Sequence, residues 1–283
     1  MELNTLLQYK PYSTARPEKR ALYAGLLTEL TQFHRERCPE YGRLLDALGC
    51  PAHMDCTVEN TPMLPVSLFK ELELRSIPEG EVFKTITSSG TTGQRVSRIF
   101  LDGATSACQQ QALCQIMSDF LGERRLPFLV LDSRQVLRNR AMFSARGAGI
   151  LGFSIFGTRP CYALDEHMEL DLDGVRAFLE EHQGETIFLF GFTFMIWKHV
   201  VRALEERGER LDIPNGILVH GGGWKKLAGE AVSPGEFKAR VAAATGVERV
   251  SNYYGMAEQT GCIYMECPQG HLHASLWSDI VVR

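Results

Sequence analysis

Residues 87–95, Thr-Ser-Ser-Gly-Thr-Thr-Gly-Gln-Arg, combine five hydroxyl side chains with two glycines. Glycine lets the backbone turn sharply, and such a turn offers N–H and O–H donors to an anion. The run Ser88, Ser89, Gly90, Thr91, Thr92 and Gly93 therefore has the chemistry of a phosphate cradle. It is not a Walker A loop, because Gly90 and Gly93 stand three apart and no lysine follows. Short stretches rich in β-branched or aromatic residues flank it at 82–86 and 96–101, so the loop reads as a hairpin tip. An ordinary surface hairpin uses the same residue types.

Two later stretches each follow a segment that reads as a strand, where open α/β sheets collect ligands. In Gly221-Gly222-Gly223-Trp224-Lys225-Lys226, three glycines let the backbone lie flat against a ligand and two lysines offset negative charge. A tight strand-to-helix turn with solvated lysines would look the same. In Tyr253-Tyr254-Gly255-Met256-Ala257-Glu258, a tyrosine ring can cover a purine and a carboxylate can hold Mg²⁺ through oxygen. The alternative is a core tyrosine followed by an exposed glutamate. Just beyond, Cys262, Cys267, His271 and His273 lie within twelve residues, and thiolate and imidazole at short spacing suit a structural tetrahedral zinc. Reduced cysteines with ordinary histidines are the competing reading.

These stretches need elements to hold them. Residues 17–37 read as a helix, with Leu22, Leu26, Leu27, Leu30 and Phe33 at three- and four-residue spacing, stopped by Pro39. A short helix follows at 41–48. Past the Gly-rich loop, helix and strand alternate: helix 103–122, strand 127–132, helix 172–181, strand 186–190, helix 195–207, strand 217–220, helix 234–244 and strand 249–252. That alternation predicts an α/β fold of mainly parallel strands flanked by helices. The expected organisation is a helical N-terminal region over 1–80, packed on a nucleotide- and acyl-binding α/β domain over 81–283. Phe153, Phe156, Phe190, Phe192, Phe194 and Trp197 are expected to fill its core or line an apolar pocket.

Composition narrows the class. The 283 residues are 45% hydrophobic and 23% charged, with a net charge of −4 and no basic stripe, which disfavours nucleic acid as a partner. No apolar run approaches a membrane span, and residues 1–4 lack the form of a secretory signal, so a cytoplasmic location is expected. Eight cysteines in such a chain are expected to stay reduced.

The order of the three motifs resembles the large N-terminal domain of the adenylate-forming superfamily, which activates carboxylic acids with ATP. Residues 220–226, His-Gly-Gly-Gly-Trp-Lys-Lys, and 252–259, Asn-Tyr-Tyr-Gly-Met-Ala-Glu-Gln, are most similar to the acyl-protein synthetases of LuxE type, and less closely to the phenylacetate–CoA ligases. The resemblance implies that Ser88 to Gly93 grip the ATP phosphates and that Gly221, Gly222 and Gly223 line the adenine site. It further implies that Tyr254 stacks on the adenine, that Gly255 belongs to the nucleotide site and that Glu258 binds Mg²⁺. Thr91, Lys225 and Glu258 are the implied catalytic residues.

The chain departs from the superfamily pattern in three places. Ala257 stands where threonine usually precedes the glutamate, and Arg95-Val96 where Pro-Lys usually continues the loop. A small C-terminal domain bearing a lysine has no counterpart before the end at residues 279–283, which read as a strand. The implied reaction moves a carboxylic acid, of fatty type, onto ATP and then onto a thiol, either a protein cysteine or coenzyme A. A nucleotide- or acyl-binding module without catalysis is the further alternative, motivated by Ala257 and the missing lysine.

Overall fold

The computed structural model describes residues 6–88, 95–137, 145–259 and 261–282, which form two compact units. The first comprises Met1–Asp119, Gly255–Ile263 and Ala274–Arg283; the second comprises Phe120–Tyr254 and Tyr264–His273.

In the first unit, helix α1 (Arg16–Arg37) starts with a proline in its first turn and ends where Cys38 adopts extended backbone. Pro39 imposes that extended form on the residue before it. The same proline opens helix α2 (Pro39–Ala47), so it begins the second helix as well as ending the first. α1 buries Tyr23 and Leu26, and the Tyr23 hydroxyl donates to the Leu276 carbonyl at 2.7 Å. After the short α3 (Leu68–Glu71), strands β1 (Lys84–Thr87) and β2 (Arg98–Leu101) pair antiparallel, with Thr87 opposite Arg98. Ile99 and Leu101 point inward, as the period of two requires. Helix α4 (Gly103–Leu121) is capped by Asp102, whose carboxylate accepts from the Thr105 N–H at 2.7 Å. Gly122, at φ +81°, ends it.

The second unit is built on a seven-stranded sheet in the order β4-β3-β5-β6-β7-β8-β9. Strands β3 (Leu126–Ser133), β4 (Gly157–Leu164), β5 (Ile187–Phe192), β6 (Gly216–Gly221) and β7 (Arg249–Tyr254) run parallel. β8 (Tyr264–Glu266) and β9 (Leu272–His273) complete the sheet antiparallel. The connecting helices are α5 (Ala145–Phe153), α6 (Leu172–Glu181), α7 (Thr193–Ile196), α8 (Arg202–Arg207) and α9 (Pro234–Thr245). The parallel α/β class is thus as expected. β5 and β6 are buried along their whole length, and Phe128, Phe188 and Phe190 are fully enclosed. Their rings stack, Phe128 on Phe188 at 4.9 Å and Phe153 on Phe190 at 4.3 Å. Four of the six aromatics set aside for core or pocket, Phe153, Phe190, Phe192 and Trp197, are buried.

Three local differences have physical causes. β4 carries Pro160, a sign of a loop in sequence, after a left-handed Arg159, and it sits at the sheet edge, where a missing donor is tolerated. The helix expected over 195–207 is interrupted by a π-helical turn, Trp197–Val201. Residues 279–282, expected as a strand, form none: Asp279 lies 3.9 Å from Lys19 and its carboxylate accepts the Ile280 N–H. Among the described residues no helix is long and apolar enough to cross a membrane.

Candidate nucleotide site

The carboxyl ends of β6 and β7 lie side by side, with Gly221 opposite Tyr253 and Phe192 of β5 on the other flank of Gly221. The three glycines do different things. A Cβ on Gly221 would fall 2.4 Å from the Tyr253 ring, so the tyrosine lies against bare backbone. Gly222 has φ +74°, a conformation that L side chains rarely adopt, and a Cβ there would also press on Phe192 at 3.0 Å. Gly223 has nothing within 4 Å of its Cβ position, leaving its backbone open to a ligand.

This turn is held from beneath. The Thr193 hydroxyl, first residue after β5, lies 3.2 Å from the Gly221 carbonyl, 3.0 Å from that of Gly222 and 3.0 Å from His220 Nδ1. A hydroxyl has one proton to give. Thr193 gives it to the carbonyls, so His220 must donate from Nδ1, which assigns the tautomer. Burial, with Lys238 nearby, drives the His220 pKa down from 6.5 to about 3. The ring is therefore neutral at physiological pH.

That shift has a measurable consequence. In the unfolded chain this histidine takes up a proton near pH 6.5, whereas in the fold it stays neutral down to about pH 3. Stability contributed by the neutral ring is complete above pH 6.5 and is lost as pH falls through that window. His220→Asn keeps a donor for Thr193 and removes the titration. Urea unfolding between pH 7 and 4 is expected to show a shallower loss for the variant than for the unaltered chain, and parallel losses would refute the assignment.

At the end of β7, Tyr254 is 51% exposed and its ring stacks on Tyr264 at 5.9 Å. Tyr253 is packed among Phe153 and Phe190, and desolvation pushes its phenol up to about 12. Of the adjacent tyrosines, Tyr254 presents a ring to solvent and Tyr253 is a wall. The strand end is pinned by Glu266, a buried residue that sequence reading passed over: one carboxylate oxygen accepts the Asn252 N–H at 2.8 Å and the other meets Lys238 at 2.9 Å. Its only sequence signal is an acidic residue in an otherwise apolar triplet.

Lys225 follows the glycines with a left-handed backbone, φ +48°, and its Nζ stands 4.9 Å over the Phe194 ring. Burial and then Arg146 lower its pKa, with Asp132 acting against them. Asp132, at the carboxyl end of β3, is fully buried and pairs with Arg146 at 2.9 Å. Neither was singled out from sequence, although an aspartate closing an apolar strand is a recognisable sign.

In the first unit, Ser88 closes the β1–β2 ribbon: its N–H donates to the Ser97 carbonyl and its hydroxyl accepts the Ser97 N–H at 3.0 Å. Ser89, Gly90, Thr91, Thr92 and Gly93 lie outside the described residues. Arg95 pairs with Glu71 at 3.1 Å. Gly255 and half-buried Glu258 belong to the strip 255–263, where the Gln259 N–H closes a turn on the Met256 carbonyl.

The zinc cluster is not formed. Among the described residues no three His, Cys, Asp or Glu side chains gather closely enough to hold a metal ion. Cys262 belongs to the first unit, where its thiol donates to the Trp277 carbonyl and desolvation holds its pKa up at about 11. Cys267, His271 and His273 belong to the second, in the β8–β9 hairpin, where the Cys267 N–H donates to the His271 carbonyl. Their proximity in sequence serves a turn.

The family model for acyl-protein synthetase, LuxE, matches residues 2–283. The chain belongs to the LuxE acyl-protein synthetase family. Among solved structures, this LuxE-family chain is similar to 2-hydroxyisobutyryl-CoA ligase in its postadenylation state with R3-HIB-AMP, at 16% identity and a TM-score of 0.58. That match covers 91% of this chain and 54% of the ligase, so the LuxE-family chain spans about half the length of the solved relative. The amide bond synthetase McbA from Marinactinospora thermotolerans also matches, at 15% identity and a TM-score of 0.40, over 68% of this chain and 33% of that one. Comparison with curated proteins gives no match. At such identities the likeness concerns the fold alone, and only the first is close enough to carry it.

Proposed function

We propose that this LuxE-family chain activates an aliphatic carboxylic acid with ATP as an acyl-adenylate and passes the acyl group to a thiol, that of a protein cysteine in keeping with the family. The observation that carries the reading is the pairing of two strand ends: left-handed Gly222 and open Gly223 directly after β6, beside exposed Tyr254 at the end of β7. Adenine fits such a place because a flat ring needs bare backbone on one side and an aromatic face on another.

A carboxylate is a poor electrophile, and attack by its oxygen on the α-phosphorus of ATP expels pyrophosphate and leaves a good leaving group on the acyl carbon. Charge builds on phosphate oxygens in the transition state, so fixed donors and cations there accelerate the step. In this reading the hydroxyls and N–H groups of Ser88 to Gly93 hold the β- and γ-phosphates, and Lys225 offsets the developing charge. Lys225 suits the role: its ammonium is partly desolvated and its backbone is fixed in an uncommon conformation. Glu258 is the residue that would hold Mg²⁺, which supplies Lewis-acid stabilisation of phosphate charge when bound. Acid-dependent exchange of labelled pyrophosphate into ATP tests the reading, and binding of ATP without exchange for any acid would replace it with a non-catalytic module.

Tyr254→Ala removes the exposed ring while Glu266 still pins the strand. A stacked base is worth about 1–3 kcal/mol by alanine substitution. The ATP affinity is therefore expected to fall roughly tenfold or more with little change in melting temperature, as calorimetric titration beside a thermal melt would show. Unchanged affinity would take the adenine away from this strand end.

A further inference from the structure

Trp224 sits between Gly223 and Lys225, and nothing in the proposed reaction uses its side chain. Its indole is half-buried and stands edge-on to two other rings: Trp197, with centroids 5.3 Å apart at 79°, and Phe237, at 6.2 Å and 88°. Edge-to-face contact is a favoured geometry for aromatic rings. Trp197 and Phe237 stack on each other at 6.2 Å, and both are buried. The Arg240 guanidinium covers Trp197 at 4.2 Å and is itself paired with Glu205. The socket that receives Trp224 is therefore braced on its far side.

The floor of the turn comes from one stretch of chain. α7 begins at Thr193 directly after β5, and the Trp197 N–H donates back to the Thr193 carbonyl, so the two residues share a helix face. Thr193 holds the carbonyls of Gly221 and Gly222, Trp197 meets Trp224, and Phe194 lies 4.9 Å from the Lys225 ammonium. From Trp197 the helix opens into the π turn, a feature frequent at functional sites.

Lys225 is in the left-handed region, at φ +48°, which non-glycine residues seldom enter. Such a conformation lasts only where its surroundings over-determine it. Here Trp224, docked on Trp197, and Lys225, docked on Phe194, fix both sides of the peptide that joins them.

We propose that Trp224 is a positioning residue: its docking on Trp197 and Phe237 holds Lys225 in the left-handed conformation that keeps the ammonium over Phe194. The inference rests on the part given above to Lys225 in adenylation, but the posture of the lysine can be read without any reaction.

Reductive methylation with ¹³C-formaldehyde labels lysine amines and leaves their charge. The methyl signal that vanishes in Lys225→Arg belongs to Lys225, and the Phe194 ring current should set it upfield of the exposed lysines. Trp224→Ala should return that signal to the exposed-lysine position, whereas Trp224→Phe, which keeps an aromatic edge in the socket, should leave it in place. Trp224 is only half-buried, so a thermal melt should show both variants folded. In pyrophosphate exchange Trp224→Ala should cost about a hundredfold, the penalty of misplacing a group by about 1 Å, and Trp224→Phe much less. On a Lys225→Met background Trp224→Ala should cost nothing further, because residues that act as a unit are not additive. A Lys225 signal unmoved by Trp224→Ala, or the same loss on both backgrounds, would overturn the positioning role. A shifted signal in a chain that catalyses no exchange would keep that role and remove the adenylation reading.

Discussion

Gly221→Ala should destabilise the second unit and take nucleotide binding with it. The added Cβ would lie 2.4 Å from one Tyr253 ring carbon and 2.8 Å from two others. The ring has little room to retreat, since Phe153 at 5.0 Å and Phe190 at 6.1 Å stand around it. Overpacking of this kind costs about 1–3 kcal/mol, a large part of the roughly 5–15 kcal/mol that holds a domain together. Relief by moving Tyr253 would shift Tyr254, its neighbour on β7. Thermal unfolding should therefore drop by several degrees, and ATP titration of the folded variant should show weakened binding. Gly223→Ala supplies the comparison: with nothing within 4 Å it should melt unchanged and still bind ATP less well, because the added methyl stands where the ligand approaches. Equal behaviour of the two variants would contradict the division of labour among the glycines.

The second large effect is expected at Glu258. Glu258→Gln keeps size and shape, and the side chain is only half-buried, so the fold should be unaffected. A neutral amide is a weak ligand for a hard cation. Losing one well-placed charged group in a phosphate transition state typically costs about 10²–10³ in rate. Acid-dependent pyrophosphate exchange should fall by that factor, and more Mg²⁺ should be needed to reach half the maximal rate. A variant with unaltered Mg²⁺ dependence would remove Glu258 from the metal role.

Much of this was legible in the chain. Helix α6 shows why: Asp171 caps it by accepting the Gly174 N–H at 3.0 Å, and Val175 and Phe178 give it one apolar face, so both its start and its inward face are written locally. β5 and β6 announce themselves as apolar runs because both faces are covered. β4 was hidden by Pro160, since permission for proline comes from being at an edge, a property of the sheet and not of the strand. The glycines and Tyr254 were readable as motif residues, whereas the parts that hold them were not. Thr193, His220 and Glu266 act through partners 27 to 29, 27 and 14 residues away respectively, distances over which sequence pattern carries no signal. The Cys–His group fails for the converse reason: four residues of metal-ligand type were close in sequence, yet among the described residues no three such side chains come together.

The most direct test of carboxylate activation follows an oxygen atom. The unaltered chain would be given ATP, Mg²⁺, a thiol acceptor and an unbranched alkanoate labelled with ¹⁸O in its carboxyl group, and the products read by mass spectrometry. Attack of the carboxylate on the α-phosphorus leaves one labelled oxygen on AMP once the thiol takes the acyl group, and that is the expected result. Label appearing in inorganic phosphate, with ADP as the nucleotide product, would mean attack at the γ-phosphorus and would contradict an acyl-adenylate.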